Sequence, residues 1–380
     1  MSFINIWRLY QERRNISMTE DNGKAKYYIV MEAIKEQIDK GILKPKEKLP
    51  SENQLSEEYG ISRHTIRKAI GILENEGYVI AKHGKGTFVA DRRKEKVSSK
   101  NIAVVTTYIS DYIFPRIIQG IDKVLTADGY SIILKNTGNS RSNEGRCLSD
   151  IVDKNVDGVI IEPSKSAICC LNDRQYEELE ELGIPYIFIQ GTYLGHEKHP
   201  AIVMDDVKGA ELITEYLISL GHRDILGIFK ADDSQGIARH KGYVNALNKA
   251  GITYNPDNVI WFHTEDRDIK PGVAINVMID NGYKFDSVVC YNDMIAADII
   301  KTLNERGLKV PQDISVTGYD NSLTGGRTFI TTIEHPKEKL GEMAAELLIE
   351  KIKGISDKDS RVKRVIEPVL VIGESCKKRD

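Results

Sequence analysis

The sequence has no apolar run approaching the roughly 18 residues that a bilayer-crossing helix requires, so a membrane-spanning role is not expected. Cysteine is scarce, with five in 380 residues (Cys147, Cys169, Cys170, Cys290 and Cys376) and no C-x-x-C spacing among them. That pattern argues against a disulfide framework or a metal-ligand set and reads as buried thiols in a reducing compartment. Residues 1–23 lack the apolar core and small-residue cleavage site of a signal peptide, so the expected location is the cytoplasm. Their polar end, 18–23, reads as a flexible arm, with Met18 a second candidate start. No glycine-rich strand-to-helix loop offers a phosphate cradle, and no nucleophile–base set appears with recognisable spacing. An enzyme, a metal and a cofactor are therefore not expected.

What is present suits a folded chain of two or three domains: 41% hydrophobic and 29% charged residues over 380 positions. The net charge of −3 conceals an asymmetry, because residues 24–96 hold 16 basic against 11 acidic side chains while 97–380 hold 34 against 42. A basic head on an acidic body fits a nucleic-acid contact confined to the head.

The head spells out its own local structure. Tyr28, Met31, Ile34 and Ile38 recur at helical spacing. Ser51 stands three residues before Gln54, a capping box opening a second helix, and Gly60 suits the left-handed conformation that ends it. Ser62 caps a third helix carrying Arg63, His64, Thr65, Arg67 and Lys68, with Ile61, Ile66, Ile70 and Leu73 on the opposite side as core. Two helices joined so tightly make a helix-turn-helix, whose second helix enters the major groove by its N-terminal residues. Arginine pairs bidentately with guanine, while hydroxyls and lysine suit phosphates. Beyond it, Tyr78-Val-Ile and Thr87-Phe-Val flank His83, Gly84, Lys85 and Gly86, a glycine-tipped basic hairpin that would reach the DNA as a wing.

These residues resemble the winged-helix domain of the GntR family. The likeness rests on Leu49-Pro-Ser-Glu52, on Ser62-Arg-His-Thr-Ile-Arg-Lys-Ala69 with Leu73 and Gly77, and on Gly84-Lys-Gly-Thr-Phe-Val89. It adds Ser51 and Glu52 to the DNA-facing set and implies phosphate contacts by Lys26 and Tyr27. One departure is Lys46, where that family usually has glycine.

After the polar stretch 91–100 the pattern changes. Short apolar runs at 102–106, 130–134, 158–161, 186–189, 225–229, 287–291 and 314–318 alternate with amphipathic helical segments. That alternation predicts βαβ units with parallel sheets covered on both faces, in two similar lobes with a ligand cleft between them. Polar groups gather at the ends of these runs: Tyr108, Ser110, Asp111, Tyr112 and Phe114; Arg239; Asn292 and Asp293; Asp320. Planar Asn, Asp and Arg groups grip adjacent sugar hydroxyls and aromatic rings stack on a sugar face, so a small polyol is the expected ligand. Each residue also has a plainer role. Asn292 or Asp293 caps the following helix, Arg239 forms an ordinary ion pair, Tyr108 and Phe114 belong to the core, and Glu162 is either a second cleft carboxylate or a loop residue.

The four stretches, with 203–222 and 331–336, resemble the effector domain of the LacI/GalR family, which shares the fold of periplasmic sugar-binding proteins. Carried over, the resemblance implicates Arg239, Asn292 and Asp320 in sugar contact, with residues around 110–114 lining the first lobe. The fold class expected is thus α/β: a small winged helix-turn-helix domain followed by a two-lobed periplasmic-binding-protein-like α/β effector domain. The boundaries are an extension at 1–23, a head at 24–90, a linker at 91–100 and a sensor and dimerisation body at 101–380. Pairing a GntR head with a LacI-type body resembles the family of arabinose-responsive repressors. It implies a homodimer on double-stranded operator DNA whose affinity a small sugar, L-arabinose, reduces. Another sugar, an activator, a sugar-processing enzyme and a transport-type binding protein are the alternatives.

Overall fold

The computed structural model describes residues 26–39, 41–82, 85–90, 98–110, 113–322, 329–355 and 363–379. The expected N-terminal arm and residues 91–97 of the expected linker lie outside the described residues. The chain divides into two compact units, one up to Val97 and one from Ser98 onward. Ser98, Ser99 and Lys100, placed in the linker by composition, belong to the second unit. Ser98 Oγ, the Ser99 N–H (2.9 Å) and the Lys100 N–H (3.1 Å) all donate to the Asp157 carboxylate.

The first unit is built from α1 (Lys26–Asp39), α2 (Glu52–Tyr59), α3 (Arg63–Asn75), β1 (Val79–Lys82) and β2 (Gly86–Val89). Ser51 forms the reciprocal capping box with Gln54, and Gly60 ends α2 at φ 64°. Ser62 caps α3 by accepting from the Thr65 N–H. Ile34, Leu55, Ile66, Leu73, Val79 and Val89 from every element meet in one core. β1 and β2 pair antiparallel from Val79↔Val89 to Lys82↔Gly86. The segment before α2 joins them as a third edge: the Leu49 N–H donates to Thr87 O at 2.8 Å, the Lys46 N–H to Val89 O at 2.9 Å and the Val89 N–H to Glu47 O at 2.8 Å. Lys46 there takes φ 68°, so the backbone keeps the left-handed turn that glycine would adopt at less cost.

The second unit begins with β3 (Asn101–Thr106), α4 (Phe114–Ala127), β4 (Ser131–Asn136), α5 (Arg141–Asp153), β5 (Gly158–Ile161), α6 (Asp173–Glu181), β6 (Tyr186–Ile189) and β7 (Ala201–Met204). It continues through α7 (Asp206–Ser219), β8 (Ile225–Lys230), α8 (Ser234–Lys249), β9 (Val259–Phe262), α9 (Lys270–Asp280), β10 (Ser287–Cys290), α10 (Asp293–Glu305) and β11 (Ser315–Thr317). It closes with β12 (Thr332–Glu334), α11 (Lys337–Ile352), β13 (Lys363–Ile366) and β14 (Val369–Val371). One lobe holds a parallel six-stranded sheet ordered β13-β7-β6-β5-β3-β4, the other a parallel four-stranded sheet ordered β11-β10-β8-β9. β12 and β14 form a small antiparallel pair. The strands are near-continuous apolar runs because helices cover both faces, and Ile102, Val104, Val159, Ile187 and Val288 are all fully buried.

Helices α4 and α11 cross over the first sheet at Gly120 and Gly341. A Cβ on Gly120 would lie 2.1 Å from the Glu338 carbonyl oxygen, so only glycine permits that approach. Chain crossings after β7, before α11 and between β13 and β14 link the lobes. Of the five cysteines expected to be buried, only Cys290 is; Cys169 is exposed and the other three are half-buried. No helix among the described residues is long and apolar enough to cross a membrane.

Candidate functional site

In the head, Ser62, Arg63, His64, Arg67 and Lys68 are exposed, and Thr65 is half-buried, on the side of α3 away from Ile66, Ala69 and Leu73. Arg67 donates to both Glu52 oxygens, Nε to Oε1 at 2.9 Å and Nη2 to Oε2 at 2.7 Å, and Arg63 lies 3.7 Å from Oε2. Glu52 therefore holds the two arginines side by side rather than presenting its own carboxylate to a polyanion. The paired cations draw its pKa below the usual range, the Arg67 hydrogen bond most strongly. The Ser51 hydroxyl is likewise occupied by Gln54. Ser51 and Glu52 thus also position the residues around them, Ser51 by capping α2 and Glu52 by aligning the two arginines.

Lys26 is exposed at the start of α1, and the Lys68 ammonium sits 4.0 Å from the centre of the Tyr27 ring, joining α1 to α3. Lys85 and Gly86 are exposed at the hairpin end, while His83 and Gly84 lie outside the described residues.

In the body, the C-terminal ends of β3, β5, β6, β8, β9, β10 and β11 converge on a cleft of about 130 Å³. Tyr108, Glu162, Asn292 and Asp320 line it from beyond strand ends, and Phe114 and Arg239 line it from α4 and α8. Asp111 and Tyr112 lie outside the described residues. Ser110 is exposed and does not line the cleft, because the chain has already left the strand end there. Asp293 is not brought to the cleft wall either. Its carboxylate is spent on the Ser322 N–H (2.8 Å) and the Thr332 hydroxyl (2.7 Å), tying the loop after β11 to α10, and it does not line the cleft. Asn292 does both jobs: its Oδ1 caps α10 by accepting from the Ile295 N–H at 3.0 Å, and it still borders the cleft.

Arg239 is the centre of the arrangement. It is 5% exposed, donates from Nε to Asp206 Oδ1 at 2.8 Å, from Nη1 to Tyr291 O at 2.6 Å and from Nη2 to Asp320 Oδ1 at 3.3 Å. Asp320 is held at φ 90°, with the buried Lys337 ammonium donating to its carbonyl at 2.6 Å. Such a conformation persists only where the surroundings enforce it. Lys230 pairs with Asp233 at 3.1 Å; burial works against its charge, yet Asp233 and Asp232 keep its pKa above the ordinary value. Glu162 accepts from the Thr107 N–H at 2.9 Å and hydroxyl at 2.5 Å, and burial still pushes it up to about 7. Burial likewise lifts Asp206 to about 6, with Arg239 pulling against it. Tyr108, Phe114, Phe262 and Tyr291 add aromatic side chains to this lining.

The composition of the cleft goes beyond the expected residues. Gln190, Lys230, Asp233, Phe262, Arg267 and Tyr291 also line it. All but Arg267 fall at or within three residues of a strand end, the signal that could have found them. Around one edge the lobes touch directly. Asn139 Nδ2 donates to Thr264 Oγ1 at 2.7 Å, Ser166 and Ser234 share a 3.0 Å hydroxyl bond, and Lys165 reaches both Asp232 (3.6 Å) and Glu265.

The comparisons agree with this geometry. A model described as "Bacterial regulatory proteins, gntR family" matches residues 26–89, and one described as "Periplasmic binding protein-like domain" matches 214–376. The chain is 40% identical over 364 residues to the arabinose metabolism transcriptional repressor of Halalkalibacterium halodurans, covering 93% of this chain and 96% of that one. It is 38% identical over 358 residues to the protein of the same name from Geobacillus stearothermophilus, covering 93% and 98%. A LacI family transcriptional regulator from Enterococcus faecium, solved with bound ribose, superposes with a TM-score of 0.62 at 25% identity, covering 74% of this chain and all of the other. The chain belongs to the family of arabinose metabolism transcriptional repressors, DNA-binding regulators with a gntR-type head and a periplasmic-binding-protein-like body.

Proposed function

We propose that the cleft binds L-arabinose and that binding lowers the affinity of a homodimer for its operator. The observation that carries the reading is Arg239, a buried guanidinium anchored by Asp206 at 2.8 Å and set among Asp320, Asn292 and aromatic faces in a two-lobed cleft. The names of the relatives supply the sugar. The contacts from Asn139, Lys165 and Ser166 to the opposite lobe give closure a defined end state, which a sugar bridging both lobes would favour by its differential affinity. Ser62, Arg63, His64, Thr65, Arg67 and Lys68 read the major groove, with Lys85 and the hairpin as the wing. Two heads on a two-fold operator account for a dimer.

Binding rather than catalysis is favoured because Glu162, Asp233 and Asp320 are each already engaged by the chain's own donors. The setting proposed is the cytoplasm. Calorimetry with L-arabinose against D-xylose, D-ribose and D-galactose, followed by operator titration with the binding sugar, tests this. Selective L-arabinose heat and a loss of operator affinity of roughly 5–150-fold are expected. Heat from a different sugar alone discards the named ligand, and turnover of any sugar to product overturns the non-enzymatic reading.

A further inference from the structure

Away from the cleft, the first lobe gathers a sulfur, an oxygen and a nitrogen donor at one corner. Cys170, Asp173 and His196 offer ligand atoms that all lie within 4.8 Å of one another. None of the three lines the cleft. We propose that they form a binding site for a borderline-soft divalent cation of the Zn²⁺ class.

The scaffold holds the donors in place. Cys170 and Asp173 sit three residues apart where the chain enters α6, and the Asn172 amide between them binds the Arg141 carbonyl at 2.9 Å and Glu144 at 3.1 Å. His196 follows β6, its N–H donating to the carbonyl of the buried Tyr193 at 3.0 Å. Its ring packs edge-on against Tyr176 (5.3 Å between centres), Phe188 (6.1 Å) and Tyr193 (6.1 Å), which restrict its rotation. One ring nitrogen, Nε2, lies 2.8 Å from Asp173 Oδ1. The other, Nδ1, lies on a different edge of the ring and is buried without a hydrogen-bond partner. Nε2 is therefore the ring nitrogen that would bind the ion, exchanging its hydrogen bond to Asp173 for a metal bond, while Cys170 Sγ, which accepts from the Asn172 N–H at 3.4 Å, would supply the sulfur.

The donor set selects the ion. Thiolate and imidazole favour Zn²⁺ or Co²⁺, whereas Mg²⁺ and Ca²⁺ require oxygen ligands. At zinc bond lengths of about 2.0–2.3 Å, tetrahedral ligands stand roughly 3.3–3.7 Å apart, so the three groups need to draw in by about 1 Å. Asp173, with 63% of its side chain exposed, is free to make that movement. Three protein ligands leave the fourth position for water.

Titration of the full-length protein with Co²⁺, followed by back-titration with Zn²⁺, tests the site. One equivalent of Co²⁺ should give a cobalt–thiolate charge-transfer band that Zn²⁺ erases and Mg²⁺ leaves alone. Cys170→Ser should lose the band, while Cys169→Ser, a change at the exposed neighbouring thiol, should keep it. Asp173→Asn should weaken binding by at least about tenfold. No thiolate band in the wild type, or an unchanged band in Cys170→Ser, overturns the proposal. Should Cys170→Ser not fold, Asp173→Asn decides alone, and wild-type affinity there is equally fatal.

Discussion

The guanidinium carbon of Arg239 lies 3.6 Å from the centre of the Tyr319 ring. Residue 319 precedes Asp320 in the chain, so one short segment supplies both the aromatic bed under the cation and a carboxylate at its edge. With Asp206 on Nε and the Tyr291 carbonyl on Nη1, the guanidinium is fixed in rotation as well as in position. A flat cation so held presents its remaining donors to a ligand with little further loss of conformational entropy.

Lysine cannot reproduce that grip, because a point ammonium does not span Asp206, Asp320 and Tyr291 at once. Arg239→Lys should lower sugar affinity at least about tenfold while leaving operator binding intact. Arg239→Met should in addition destabilise the protein by about 3–5 kcal/mol, since two buried carboxylates lose their cation. Calorimetry and thermal melts separate the two effects, and unchanged sugar affinity in the lysine variant contradicts the assigned role.

In the head, Arg63→Ala and Arg67→Ala should each cost about 1–3 kcal/mol of operator binding. Sugar affinity should stay at the wild-type value, because neither residue belongs to the unit that holds the cleft. Operator titrations at several salt concentrations check this. Equal losses in both activities would indicate misfolding.

The pH dependence has a definite sign. Glu162 and Asp293 hold their protons to about 7 in the folded protein, against 4.5 and 3.8 ordinarily. Between those values the folded state binds more protons than the unfolded one, so stability falls as pH rises from about 5 to 7. Each carboxyl contributes up to about 3 kcal/mol to that fall. Buried His335, lowered to about 4, opposes it over the same range, since its contribution is present above 6.5 and lost as pH drops. Glu162→Gln should flatten the decline in melting temperature. A sugar hydroxyl donating to Glu162 favours its ionised form, so sugar affinity in the wild type should rise toward pH 7.

Lys46 offers a test of backbone strain. At φ 68° a lysine costs about 1 kcal/mol relative to a relaxed backbone, which glycine avoids at some entropic expense. Lys46→Gly should therefore stabilise the head by a few tenths to about 1 kcal/mol, read from its unfolding midpoint. A lower midpoint would mean that the lysine side chain outweighs the strain.

Much of the head was legible because its signals are local. Ser51, Gln54, Gly60 and Ser62 act within four residues of themselves, and each behaves as its spacing predicts. The parallel strands were legible because burial on both faces writes itself as an unbroken apolar run. What stayed hidden depends on distant partners. Nothing near Glu52 in the chain announces Arg67, fifteen residues away, and nothing near Asp293 announces Thr332. Asp206, which orients Arg239, comes from a different helix, and Thr332–Glu334 is too short and mixed to stand out as a strand, whereas Val259–Phe262 is an apolar run absent from the expected strands. The Cys170, Asp173 and His196 grouping was invisible for the same reason, since its donors share no recognised spacing.

The order in which the chain is made has a consequence for its two units. The head is complete once Val89 has paired with Val79. Neither lobe is complete until nearly the last residue. β13 adds the strand beside β7 in one sheet, β14 pairs with β12, and Ser375 bonds the backbone of Val316 and Thr331 in the other lobe. During synthesis from the N-terminus, a folded DNA reader therefore waits on the ribosome for a sensor that closes only once Ser375 has emerged. A message cut short anywhere before 363 would release a head with no finished body to govern it.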